Sequence, residues 1–479
     1  MNIRRLLALT VAVVSMLSMV SLSSSLPARI DPVFANLGKP TTPFVPVGSF
    51  INSTWFCPGV PIGAEGFGGS VAVANPGDAP LFGKLTVFTD EAGVPSVTQD
   101  LEVPARDMLT VDLASFQQAG SFVSALVEVI GGGGFVEQLA VSPTGQAAAA
   151  CSNSPSGSWY FADGFTLDGS TETLVITNPF PQDAIVDVAL ATKGGGRSPL
   201  RLQGYPIAGQ SIAVITDEEL AKDELVIGIS VIASRGRVVV GRAQTFPAAA
   251  GRNGFTMNLG APSLGDQYFF ADGESGPGIA ERYSIYNGSD REAVVRLYFF
   301  GLPFDSTFIN DTEFVVDKGA VLTFNTSDPE FEGLPASRHG VVFSSTEQAI
   351  VVERALTRPA GDLVATSVVL GSPGSAASTR WSMAISPDEA AEAALVVLNV
   401  DTVDALVTVK AVGAGGAVAI PGLEGVAVLA GGIVTIDVTD PSAFGKPLIV
   451  ESTQRVYVER LLPRGPDLAG RSGSFALAG

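Results

Sequence analysis

Trp159-Tyr160-Phe161-Ala162-Asp163-Gly164, followed by Leu174-Val175-Ile176-Thr177-Asn178-Pro179, sets the pattern of this 479-residue chain. The two stretches come back three times. Trp55-Phe56-Cys57 leads to Val71-Ala72-Val73-Ala74-Asn75-Pro76, and Tyr268-Phe269-Phe270-Ala271-Asp272-Gly273 leads to Tyr283-Ser284-Ile285-Tyr286-Asn287-Gly288. Trp381-Ser382-Met383-Ala384 leads to Leu395-Val396-Val397-Leu398-Asn399-Val400. The leading aromatics Trp55, Trp159, Tyr268 and Trp381 are 104, 109 and 113 residues apart. The asparagines Asn75, Asn178, Asn287 and Asn399 are 103, 109 and 112 apart. Two markers that drift together imply tandem units, each long enough to own a core.

Working outward from the second copy, short apolar runs follow one another every 8 to 15 residues. Strands are expected at Ser158–Ala162, Thr173–Thr177, Ile185–Ala191, Leu200–Tyr205 and Ser211–Ile215. Leu225–Ala233 and Val238–Thr245 read as a pair turning at Ser234-Arg235-Gly236-Arg237, and Phe255–Leu259 closes the copy. Many short strands with turn signals between them predict an antiparallel β-sandwich. Only Asp217–Ala221 and Pro387–Ala394 hint at a helical turn. A second marker sits in the strand before the last: Val136-Glu137-Gln138-Leu139, Val240-Gly241-Arg242-Ala243, Val352-Glu353-Arg354-Ala355 and Val458-Glu459-Arg460-Leu461. The expected fold class is all-β: four tandem immunoglobulin-like antiparallel sandwiches of about 105 residues, spanning 53–157, 158–266, 267–379 and 380–479. Links of six or seven residues would hold them in a limited set of orientations.

Ahead of them, 1–28 reads as an export signal or N-terminal membrane anchor. Arg4-Arg5 precedes the uncharged apolar run Leu6–Leu22, and Ser23–Ala28 supplies a polar end with a small final residue. Cleavage and retention as an anchor both stay open, because the run is only just long enough to span a bilayer. Residues 29–52 form a Pro-rich linker. The chain is expected to be extracellular or in the cell envelope, meeting a membrane only through that N-terminal segment.

The formal net charge of −20 opposes contact with phosphate backbones, so no nucleic-acid partner is expected. The two cysteines, Cys57 and Cys151, both fall in the first copy, and in an exported chain they fit one disulfide, with two buried thiols as the alternative. The single histidine, His339, reads as a loop residue and cannot alone supply a nucleophile's base or a zinc site. Asp163, Asp168 and Glu172, and Asp272 with Glu274, read as solvated turn carboxylates rather than calcium ligands. Gly131–Gly134 and Gly194–Gly196 are turns, not phosphate loops. Alternation places the leading tryptophans on the core face and leaves Tyr160 and Phe269 as candidate outward contacts. No catalytic residue, metal ligand or cofactor is assigned.

The Trp-Tyr-Phe-Ala-Asp-Gly opening, the Asn-Pro after the second strand and the Val-Glu-Arg marker together resemble a family of exported actinobacterial repeat proteins of unassigned function. The likeness runs over about 53–479 and is loosest in the fourth copy, where Ser382-Met383 replace aromatics. It implies fold and address and brings no catalytic residues. The expected role is non-enzymatic: a spacer, scaffold or adhesion-type module facing an envelope protein or polysaccharide. The alternative is a protein that binds cell-wall or extracellular polysaccharide.

Overall fold

The computed structural model describes residues 42–46, 52–248, 251–308, 310–347, 349–387 and 393–479. The signal or anchor reading, most of the linker and most of the Pro387–Ala394 hint lie outside them. Among the described residues regular structure is strand, with single turns of 3-10 helix, and every named strand pairing is antiparallel. No helix of these residues is long and apolar enough to cross a membrane.

The sheets follow one another along the chain as facing pairs. In the second pair, one sheet orders Ser158–Gly164, Ile227–Arg235, Ala184–Thr192 and Gly195–Arg197. The other orders Ser211–Thr216, Thr171–Asn178, Val239–Pro247 and Asn253–Leu259. Ala184–Thr192 shows why: Val186, Val188 and Leu190 alternate inward and are buried, with half-buried residues between them. Trp159 stands at the centre of this core and gives its indole N–H to the carbonyl of Val238 at 2.8 Å. Trp55, Tyr268 and Trp381 are equally buried at the same place in the other pairs.

The four asparagines close each unit in one way. Asn178 Nδ2 donates to the carbonyls of Gln182, Ile207 and Ala208 at 2.8 to 3.2 Å, while Oδ1 accepts from the Phe180 amide. Asn75 and Asn399 repeat the whole set, and Asn287 all but one bond. A buried amide with two N–H groups and one carbonyl suits a place where a turn and two strand ends converge.

Two local expectations are corrected. Ile227–Arg235 and Val239–Pro247 are not paired with each other; the chain crosses from one sheet to the other at Ser234–Arg237. Val239 to Gln244 are buried on both sides, as befits a central strand rather than the second arm of a hairpin. In the fourth pair the crossing is made by a single 16-residue strand, Leu448–Pro463, shared by both sheets. Leu200–Tyr205 is not a strand: Leu200–Leu202 is a 3-10 turn that buries Leu202 alone and leaves Leu200 91% exposed. Asp217–Ala221 is the single turn expected, closed by the Glu219 and Leu220 amides on the Thr216 carbonyl.

The closing strands Gly145–Ala150, Asn253–Leu259, Leu363–Leu370 and Arg471–Phe475 touch in cyclic order, the last against the first. The contacts between the pairs thus close on themselves, and Pro40–Gly479 is a single compact unit. Units that each own a core, joined by short links, were expected; here the cores cross the boundaries. The core of the fourth pair takes in Phe269, Ala271 and Val342 of the third, and that of the third takes in Ala162, Ala191 and Ala261 of the second. Cys57 and Cys151 form a disulfide within the first pair, with both residues buried. The first pair has neighbours on two sides, the second pair and the fourth.

Candidate functional site

The seams between sheet pairs gather most of the buried charge. Two of them begin with an irregularity in an opening strand. Between Phe161 and Gly164, and between Phe270 and Gly273, the register slips in a β-bulge, which takes two amides out of the ladder. Buried N–H groups need acceptors. The acceptor comes from the next pair: Glu353 Oε2 receives the amides of Ala162 and Asp163 at 2.7 and 2.6 Å. The same carboxylate is forked by Arg242 at 3.0 and 2.8 Å, and both side chains are fully buried. Glu459 does this for Ala271, Asp272 and Arg354. Glu137 does it for Ala384, Ile385 and Arg460, joining the first pair to the fourth across 323 residues of sequence.

The remaining seam, between the first and second pairs, is uncharged, and three positions differ together. Gly241 stands where the glutamate would be, Gln138 where the arginine would be, and Pro58, which has no N–H, where the first amide would be. Gln138 then bonds both the N–H and the carbonyl of Gly59, at 2.8 Å for the first. A Cβ on Gly241 would lie 2.6 Å from Pro58 Cβ.

Around the Arg242 seam lie the carboxylates that the sequence places in solvent. Asp163 and Glu172 are fully buried, and only Asp168 is exposed. Burial alone would raise the Asp163 pKa; the Arg252 and Arg282 guanidiniums more than reverse it and hold the carboxyl below its ordinary value. Asp272 is likewise buried, held by Arg338 and Arg358, and Glu274 is half-buried against Arg358. Their solvated reading fails because the cations arrive from segments far along the chain.

Glu172 is the exception to good pairing. Its Oε2 accepts from the Phe165 amide, but Oε1 lacks a hydrogen bond and the nearest guanidinium, Arg242, is 3.8 Å away. Burial, with help from the Glu353 and Asp163 charges and against Arg242, pushes its pKa up to about 7. The third pair solves the same position differently. Glu281 is met by His339 Nε2 at 2.9 Å and by the Tyr283 hydroxyl, and although burial opposes it, His339 lowers its pKa. His339 is thus a fully buried strand residue, not a loop one. It pairs in register with Gly273, where the second pair sets Ile227 against Gly164. An isoleucine has nothing to offer Glu172.

A pH dependence follows. The folded pKa of Glu172 lies above the ordinary value of 4.5, so the folded state binds its proton more tightly. The associated stability is full below pH 4.5 and is lost as pH rises through about 7, by on the order of 3 kcal/mol. Glu172→Gln should therefore be more stable than wild type at pH 8, and the advantage should vanish near pH 5. A difference between the two melting curves that stays constant with pH would show the carboxyl to be ionised throughout.

Where the closing strands meet, small residues in them and just after them, Ala148, Ala149, Gly260, Gly371 and Gly473, leave a cavity of about 110 Å³. Thr42 and Pro43 line its mouth, and the Val45 amide bonds the Ala478 carbonyl at 2.6 Å. Where the turns before the closing strands meet, Arg464 bonds the carbonyls of Thr144, Val364 and Ala469, and burial lowers its pKa. Among the described residues no group of three His, Cys, Asp or Glu side chains converges to hold a metal. The two aromatics expected to face outward do not: Phe269 stacks on Tyr457 of the fourth pair at 4.3 Å, and Tyr160 packs against Tyr286 of the third at 6.5 Å. Their second face serves the seams. The Glu-Arg marker was legible as a marker, but nothing local revealed that its partners lie one sheet pair away.

Among solved structures, a Thermotoga maritima protein (1070) aligns at 19% identity over 23% of this chain and 95% of its own, with a TM-score of 0.20. The BSP domain of a biofilm-associated protein aligns at 9% identity over 94% of this chain and 99% of its own, with a TM-score of 0.13. A search of curated proteins finds no match. A family model does match, over residues 52–298, which is more than half of the chain. The protein belongs to the family of unknown function DUF5719.

Proposed function

We propose that this chain is an exported, non-enzymatic scaffold or interaction module of the cell envelope, built from four copies of one β-sandwich domain. The observation that carries the reading is the use made of the Glu-Arg marker. Its charges are spent between sheet pairs, joining them into one rigid body with little left over for chemistry on a substrate. The cyclic order favours a compact platform over an extended spacer. A buried disulfide fits an oxidising compartment outside the cytoplasm. Its partner would be an envelope protein or polysaccharide met by the outer surface. The glycan-binding reading is weaker because Tyr160 and Phe269, its aromatic candidates, are engaged in the seams.

Intact cells treated with an amine reagent that does not cross membranes should label the protein at exposed lysines such as Lys84 without lysis. Purified protein should pass unretained over immobilised wall polysaccharide. Labelling only after lysis overturns export. Micromolar retention by one polysaccharide overturns the scaffold in favour of the glycan-binding alternative.

A further inference from the structure

A guanidinium in the turn before a closing strand already binds an oxyanion in the second sheet pair: Arg252, after Gly251, forks Asp163 at 2.8 and 3.2 Å. The same dipeptide, Gly470-Arg471, leads into the fourth closing strand, with Arg471 its first residue. Here the acid is gone. Ile385 gives its amide to Glu137 as Asp163 gives its amide to Glu353, so an isoleucine occupies the acid's place. Among the described residues the Arg471 side chain makes no hydrogen bond or ion pair. It lines a cleft of about 360 Å³ where the third and fourth pairs meet, together with Arg338, Arg358 and Glu274. Asp272, buried beneath, holds Arg338 and Arg358, and Glu274 is taken by Arg358 Nε. Three guanidiniums thus face two carboxylates. The cleft keeps one positive charge in excess on a chain whose formal net charge is −20.

We infer that this cleft is a binding site for a small oxyanion, a carboxylate or phosphate group borne by a larger partner. A planar guanidinium offers two parallel N–H groups that match either anion, and Arg338 and Arg358, only partly exposed, supply the surrounding field. Inorganic phosphate and glucuronate, titrated separately into the full chain at constant ionic strength, test it by calorimetry. At least one should bind, and Arg471→Ala and Arg471→Gln should each weaken it about tenfold or more. Arg237→Ala, an exposed arginine elsewhere, should leave binding unchanged. Binding of phosphate alone points to a phosphate-bearing partner, and of glucuronate alone to a carboxylate-bearing one. Failure of both to bind, or undiminished binding by the folded Arg471 variants, overturns the site.

Discussion

Glu137→Ala should destabilise the whole chain by about 3–5 kcal/mol, the usual result of leaving a buried charge without its partner. Arg460, only 2% exposed at its side chain, would keep the Ile385 carbonyl and Ser474 but lose the carboxylate that neutralises it. The amides of Ala384 and Ile385 would lose their acceptor in the same step. The effect should not stay in the first sheet pair, because this contact closes the cyclic order between the two ends of the chain. The uncharged seam supplies the control. Glu137→Gly combined with Arg460→Gln copies Gly241 and Gln138, and should recover part of the loss by removing both charges together. Glu218→Ala, which breaks a surface pair with Lys222, should change nothing measurable. Denaturant titration reads all three. A Glu137→Ala curve as close to wild type as that of Glu218→Ala would mean that the seam contributes no stability.

The disulfide should carry the second large effect. Cys57 and Cys151 close a loop of 94 residues, for which the chain-entropy model gives on the order of 4 kcal/mol. Its position enlarges the consequence. The Cys57 amide bonds the Ala125 carbonyl, Phe56 and Ser152 exchange backbone bonds, and Pro58 next door packs against Gly241 of the second pair. Reduction, or Cys57→Ser with Cys151→Ser, should lower stability by about that amount and loosen the uncharged seam before the charged ones. Denatured, unreduced protein should show no titratable thiol. Two thiols per chain would remove the bridge from the account.

These effects separate what the residues announce from what they conceal. The tryptophans, the asparagines and the cysteines are legible because each acts within its own hundred or so residues, where alternation and spacing speak directly. Asp163, Glu172 and His339 are misread for the opposite reason. A carboxylate beside a turn is usually solvated, and it is buried here only because Arg242, Arg252, Arg282 or Arg358 arrives from another strand or another sheet pair. The Ser234–Arg237 turn has a hairpin's composition, yet the chain uses it to change sheets. Composition sets the turn, and the burial of Val239 and Val240 on both sides sets the destination.

The uncharged seam also constrains how such a chain can change over time. Glutamate at position 241 would strike Pro58 and find no guanidinium. Arginine at 138 would be a buried cation without an acid, and alanine at 58 would expose an amide with no acceptor. Every single step from this arrangement towards the charged one passes through a state worse than either end. The three positions therefore form one heritable block with strong sign epistasis, and the protein can keep this seam permanently unlike the charged ones.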